Sequence, residues 1–129
     1  MEKQKILIVE DEASQRKALV DKFMREGFSA LQAMDGQQGL TIALRERPDL
    51  ILLDIVMPVM DGMTMMQKVR GENAWGKAVP IILLTNLTGD DERLNRSITE
   101  NEPAYYLVKS NWTIDDVVGK VRERLSRTS

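Results

Sequence analysis

Cysteine and histidine are both absent from this 129-residue sequence. Without cysteine the chain has no disulfide framework and no thiol chemistry, which fits a reducing compartment such as the cytoplasm. Without histidine it lacks the commonest general base and the commonest transition-metal ligand. Any chemistry must therefore use carboxylates, hydroxyls and amines.

Long apolar runs and a strong charge of one sign are missing as well. No apolar stretch approaches the ~20 residues that a membrane helix needs. The amino-terminal segment MEKQKILIVE has four consecutive apolar residues, too few for a signal-peptide core. The formal net charge is −2, and no basic stripe favours nucleic-acid binding. We expect one soluble, cytoplasmic domain across residues 1–129, in contact with neither a membrane nor nucleic acid.

Short apolar runs predict the strands of a parallel sheet. Residues 6–9, 50–53 and 81–84 are continuous runs of the kind that is buried on both faces, and residues 104–108 form a weaker one. Residues 28–33 alternate between apolar and polar, which is typical of a half-exposed edge strand.

Apolar residues at helical spacing separate these strands. Periodic stretches contain Leu19, Leu40, Met66, Leu94 and Ile114, which predicts five helices. Strands that alternate with helices indicate right-handed βα units and a doubly wound α/β fold. The expected sheet has five parallel strands in the order 2-1-3-4-5. The helix at Leu94 has few apolar anchors and should be the least firmly held, whereas the last helix has Thr113 as its expected N-cap.

Polar residues follow four of the predicted strands. Glu10 and Asp11 follow the first, Asp54 the third, Thr85 the fourth and Lys109 the fifth. Because parallel strands have their carboxyl ends at one edge, we expect these side chains to converge where the strand order reverses.

The converging groups favour phosphoryl chemistry. Three carboxylates repel one another unless a cation joins them, and oxygen ligands without histidine or cysteine favour Mg²⁺. A hydroxyl at Thr85 and an ammonium at Lys109 add donors for phosphoryl oxygens, and Asp54 can act as the nucleophile. One aspartate after a strand is more often a turn residue. Five polar residues that follow the strands in this chain order together favour a phosphoryl-binding site.

The segment DIVMPVMDG at residues 54–62 carries a highly specific family signature. With the acidic pair, the threonine and the lysine, the chain resembles a receiver domain of two-component response regulators, which has a flavodoxin-like fold. The resemblance covers nearly the whole chain. It implies that Asp54 is the phosphoacceptor and that Asp11, Asp54 and the carbonyl of Val56 ligate Mg²⁺, with Glu10 acting through water.

The resemblance also implies how phosphorylation is read out. Thr85 and Lys109 would hold the phosphoryl oxygens, and Tyr106 would be a switch aromatic that turns inward as Thr85 moves. The helix at Leu94, the fifth strand and the last helix would then change conformation. Such a domain is not an enzyme, because it catalyses its own phosphorylation and dephosphorylation only.

The same resemblance defines the expected partners. Because the chain has no histidine, a sensor histidine kinase or a His-containing phosphotransfer protein must supply the phosphoryl group. An effector of unknown identity would receive the signal. We expect a monomer or a weak dimer.

Several positions depart from the family pattern. Lys109 precedes Ser110 where the family has proline, and a non-proline cis bond costs about 3–4 kcal/mol, so the bond is strained or trans. Asn86 stands where a small residue is common in the family. Val56 and Leu87 are apolar where relatives often have polar groups that orient water. We therefore predict a long-lived phosphoaspartate.

Three other functions remain open on the sequence. A degenerate receiver would bind partners without phosphorylation, although the intact Asp54, Thr85 and Lys109 argue against it. A haloacid-dehalogenase-like phosphatase usually needs a second aspartate where this chain has Val56. A nucleotide- or flavin-binding module of flavodoxin type would lack both common glycine-rich phosphate loops.

Overall fold

A computed structural model describes residues 3–85, 96, 99–101, 105–108 and 112–126, with the main chain alone at residues 85 and 105–108. The strands are Lys5–Val9 (β1), Ser29–Ala33 (β2), Leu50–Asp54 (β3), Ile81–Thr85 (β4) and Tyr105–Val108 (β5). The helices with described bounds are Ala13–Arg25 (α1), Gly36–Glu46 (α2), Gly62–Glu72 (α3), Ala74–Ala78 (α4) and Ile114–Ser126 (α5). No helix in this described part is both long enough and apolar enough to span a bilayer.

The five strands form one parallel sheet in the order β2-β1-β3-β4-β5. The predicted fold, strand order and edge position of β2 are thereby confirmed. The central strands β1 and β3 pair directly, with Val9 opposite Leu53. The sheet order therefore reverses between these two strands, where a doubly wound fold has its crevice.

Helices cover both faces of the sheet and bury its central strands. On one face, Leu7 and Val9 pack with the buried methionines Met65 and Met66 of α3. On the other face, side chains of β1 and β3 pack with α1 and α5 in a second cluster. Because residues 6–9 and 50–53 are all buried, polar side chains on these strands can occur only at their ends.

Two helix boundaries follow from side-chain caps. The predicted N-cap Thr113 is confirmed: its hydroxyl accepts the Asp116 N–H at 3.2 Å, and the Asp116 carboxylate accepts the Thr113 N–H at 2.7 Å. The helix α3 ends at Glu72. The side chain of Asn73 then accepts the N–H of Gly76 at 2.7 Å and starts α4, a helix that the sequence pattern did not predict.

The predicted helix at Leu94 falls mostly outside the described residues. Arg96 and residues 99–101 are helical, and Asn101 is buried. Arg70 of α3 anchors this segment, since its Nε donates to the Asn101 carbonyl at 2.8 Å. Its Nη1 also donates to the carbonyls of Gly76 and Val79, at 2.8 and 2.6 Å. One guanidinium thus joins α3, α4 and the segment before β5.

Replacing Arg70 with methionine is expected to lower the free energy of unfolding by about 3 kcal/mol, because three carbonyls lose a charged donor. Urea denaturation measures this change. Methionine at the exposed Lys68, also on α3, is the matched control and should change stability by less than about 0.5 kcal/mol. Equal stability of the two variants would show that the guanidinium does not join these elements.

Candidate functional site

Two carboxylates lie at the carboxyl ends of the neighbouring strands β1 and β3. Asp54 is the last residue of β3, and Glu10 follows β1, one position beyond the Val9–Leu53 pair. Both are nearly inaccessible to solvent, with relative exposures of 3% for Glu10 and 6% for Asp54. The strand register therefore brings two buried acids side by side.

Asp11 completes an acidic cluster at this edge. Carboxylate oxygens of Glu10, Asp11 and Asp54 all lie within 4.8 Å of one another, and Asp11 is exposed. The cluster thus opens to solvent at Asp11 and is closed at the other two acids. The structure brings together the three carboxylates that the sequence analysis selected as candidate metal ligands.

The donor set of this cluster fits Mg²⁺. Magnesium prefers hard oxygen ligands and is usually bound by one or two carboxylates with water in its other positions. Three carboxylates supply such oxygens, and the exposed side at Asp11 leaves room for water. The sequence has no histidine or cysteine to favour a softer metal.

The loop after Asp54 is tied at its base to the start of α3. The N–H of Gly62 donates to the Ile55 carbonyl at 2.8 Å, and the Asp61 carboxylate caps α3 by accepting the Thr64 N–H at 2.8 Å. A Cβ at Gly62 would overlap the Asp54 carbonyl oxygen. Asp61 and Gly62 of the family signature therefore start α3 directly against the strand that ends in Asp54.

Apolar side chains of the same loop face solvent. Val56 and Val59 have relative exposures of 62% and 82%, whereas Met57 is buried between them. Val56, two residues after Asp54, thus exposes an apolar side chain to solvent. The carbonyl of Val56 is a metal ligand that the family resemblance implies, and this role stays a prediction.

Arg16 of α1 supports the acidic cluster, although the sequence analysis did not select it. Its Nη1 donates to the main-chain carbonyl of Glu10 at 2.9 Å, and its Nε donates to the Gln32 side chain at 3.3 Å. The guanidinium therefore fixes the main chain between β1 and α1. Nothing in the spacing of Arg16 in the sequence indicates this contact.

The remaining predicted site residues are only partly described. The β3–β4 register places Asp54 opposite Leu84, so the main chain of Thr85 lies at the same edge. Tyr106 pairs with Leu83 within the sheet. Lys109 and its bond to Ser110 lie outside the described residues, as do Asn86 and Leu87.

Comparison with protein families matches residues 6–122 to a family described as the response regulator receiver domain. Over 127 residues the chain is 35% identical to "Probable transcriptional regulator ycf27" of Guillardia theta, which covers 98% of this chain and 47% of that protein. It is also 35% identical over 120 residues to "Response regulator PleD" of Caulobacter vibrioides, covering 93% of this chain and 25% of that protein.

A solved structure with the same architecture is the chemotaxis protein CheY4 of Vibrio cholerae. It has a TM-score of 0.84 and 26% sequence identity, covering 95% of this chain and 98% of that one. By contrast, the chain spans half or less of the length of the curated relatives, with 38%, 47% and 25% of three of them covered. The similarity to those relatives therefore concerns one part of each.

Proposed function

The chain belongs to the response regulator receiver domain family, and we propose that Asp54 is the residue through which it accepts a phosphoryl group. A phosphoacceptor role in two-component signalling is the property of this family. The observation that carries the assignment is the position of Asp54. It is a buried carboxylate at the end of a central strand, within 4.8 Å of two further acids.

Asp54 acts as the nucleophile in the proposed reaction. A carboxylate oxygen forms a bond to phosphorus while the bond from phosphorus to the donor breaks, and the leaving group departs with the bonding electrons. The leaving group is acetate when acetyl phosphate is the donor and imidazole, which takes up a proton, when phosphohistidine is the donor. The product is an acyl phosphate on Asp54.

Glu10, Asp11 and Asp54 would hold Mg²⁺ together with the carbonyl of Val56. The bound ion would neutralise the negative charge shared by the carboxylates and the incoming phosphoryl oxygens. The chain itself supplies the buried positions of Glu10 and Asp54, so that few water molecules compete with the Asp54 carboxylate for the phosphoryl donor. Arg16 keeps the Glu10 main chain in place.

Thr85 and Lys109 would bind the phosphoryl oxygens by a hydroxyl and an ammonium group. This assignment rests on the family resemblance and on the position of Thr85 at the carboxyl end of β4. Tyr106 on β5 would follow Thr85 as the switch residue. The surface that changes on phosphorylation would comprise the segment before β5, β5 itself and α5.

Membership in this family implies a histidine kinase partner and a downstream effector in general. For this chain we propose a sensor kinase or a His-containing phosphotransfer protein as the donor. The whole chain would act as one receiver domain in the cytoplasm. Its catalysis would be limited to its own phosphorylation and dephosphorylation.

Intact mass spectrometry tests the proposal. The protein is incubated with acetyl phosphate and Mg²⁺, and a parallel sample contains EDTA. We expect one added phosphoryl group with Mg²⁺ and none with EDTA. A folded protein that gains no phosphoryl group would contradict the proposal and would favour a receiver that binds its partners without phosphorylation.

A polar side chain at Val56 is expected to speed the loss of the phosphoryl group. In the wild-type protein this exposed side chain is apolar and cannot orient an attacking water. Replacing Val56 with glutamine supplies a side chain that can hydrogen-bond to an attacking water. We expect hydrolysis of the phosphoaspartate to accelerate about tenfold, which is less than a positioned general base contributes.

The decay of phosphoprotein after removal of the donor measures this rate by intact mass. Glutamine at the equally apolar and more exposed Val59 is the matched control and should leave the rate unchanged. Rapid loss of phosphate from the wild-type protein would contradict the predicted long lifetime.

A further inference from the structure

The loop between Asp54 and α3 contains a tight, strained turn. The N–H of Met60 donates to the Pro58 carbonyl at 2.7 Å, two residues back, and Val59 between them has a φ of +68°. A positive φ is rare for a β-branched residue, and a γ-turn of this kind is strained. Neighbouring structure must therefore hold the turn in place.

Gly36 of α2 makes the contact that holds this turn. Its N–H donates to the Met60 carbonyl at 3.0 Å, and a Cβ at Gly36 would overlap that carbonyl oxygen. Gly36 is the first residue of α2, so its N–H has no acceptor within the helix. The carbonyl of Met60 serves as the acceptor instead, and only glycine at position 36 allows this carbonyl to approach so closely.

The segment that carries Gly36 is itself firmly placed. The Asp35 carboxylate caps α2 by accepting the Gln38 N–H at 2.8 Å, and the Gln38 side chain accepts the Met34 N–H at 3.0 Å. One turn further on, a Cβ at Gly39 would lie 2.8 Å from the sulfur of Met65 on α3. Gly36 therefore presents its N–H from the capped end of α2, a helix that packs closely against α3.

We propose that Gly36 is a positioning residue for the Asp54 site. Its N–H and its lack of a Cβ fix the Met60 carbonyl, while Gly62 fixes the other end of the loop through the Ile55 carbonyl. Between these two contacts lies Val56. The inference rests on the proposed function, because the Val56 carbonyl matters only if it is a ligand of Mg²⁺.

Replacing Gly36 with alanine tests the proposal. The added Cβ must displace the Met60 carbonyl, and we expect Mg²⁺ affinity to fall about tenfold, as it does when groups that orient metal ligands are removed. Calorimetric titration of the purified protein with Mg²⁺ measures this. Alanine at Gly71 of α3, where a Cβ would meet nothing within 4 Å, is the matched control and should bind like the wild type.

A second measurement does not need the metal. In the metal-free wild-type protein the Gly36 amide should exchange with solvent slowly by NMR, although first-turn amides of a helix usually lack an acceptor. In the alanine variant, amide shifts should change at residues 55–57, 59 and 60 and remain constant in β1. Wild-type affinity in a folded alanine variant, or rapid exchange at Gly36, would overturn the proposal.

The two proposals fail separately. If the alanine variant does not fold, exchange at Gly36 in the wild-type protein decides whether this contact exists. A protected Gly36 amide and tight Mg²⁺ binding in a protein that takes up no phosphoryl group would contradict the proposed function and leave the positioning role standing.

Discussion

Replacing Asp54 with alanine is expected to abolish phosphoryl uptake from acetyl phosphate, because the nucleophile is removed. Among the described residues, Glu10 and Asp11 are the other carboxylates of the cluster, and neither takes the place of Asp54 at the end of β3. Intact mass after incubation with Mg²⁺ should show the added group in the wild-type protein alone.

Asp61 provides the matched control for this experiment. It lies in the same family signature but caps α3 through the Thr64 N–H. Asparagine is an equally good N-cap, so Asp61→Asn should fold and accept a phosphoryl group as the wild type does. Uptake by the Asp54→Ala variant, or its loss in Asp61→Asn, would contradict the assignment of Asp54.

Replacing Asp11 with asparagine is expected to change stability in opposite directions with and without Mg²⁺. Without the metal, removal of one of three clustered charges relieves repulsion on the order of 1 kcal/mol and raises Tm by roughly 3–5 °C. With Mg²⁺ at about 100 times its Kd, the wild type gains about 2.7 kcal/mol that a variant unable to bind the ion does not.

Thermal unfolding of both proteins with EDTA and with Mg²⁺ measures this reversal. The control is Glu12→Gln, because Glu12 is an adjacent acid outside the cluster whose side chain accepts a hydrogen bond from Ser14. It should keep the full Mg²⁺ response. An Asp11→Asn variant that responds to Mg²⁺ like the wild type would remove Asp11 from the metal site.

The acidic cluster could be predicted from the sequence because its geometry follows from strand order. Continuous apolar runs identified β1 and β3 as buried strands, and parallel strands end at a common edge. Glu10, Asp11 and Asp54 therefore had to meet, whatever the details of the helices. The family signature added their roles, which the apolar pattern cannot supply.

Other features could not be predicted because they depend on contacts between distant parts of the chain. Gly36 and Met60 meet only after α2 and α3 pack together, and Arg16 reaches the Glu10 carbonyl only once α1 has formed. The helix α4 is short and depends on the Asn73 cap rather than on an apolar stripe. The residues next to each of these features in the sequence therefore give little indication of it.

The most direct test of the account is to locate the phosphoryl group in the wild-type chain. The phosphorylated protein is treated with borohydride, which reduces an aspartyl phosphate to homoserine, and its peptides are sequenced by tandem mass spectrometry. We predict homoserine at position 54 only, and only in samples that contained Mg²⁺. Homoserine at any other aspartate, with Asp54 unchanged, would contradict the claim that the buried carboxylate at the end of β3 accepts the phosphoryl group.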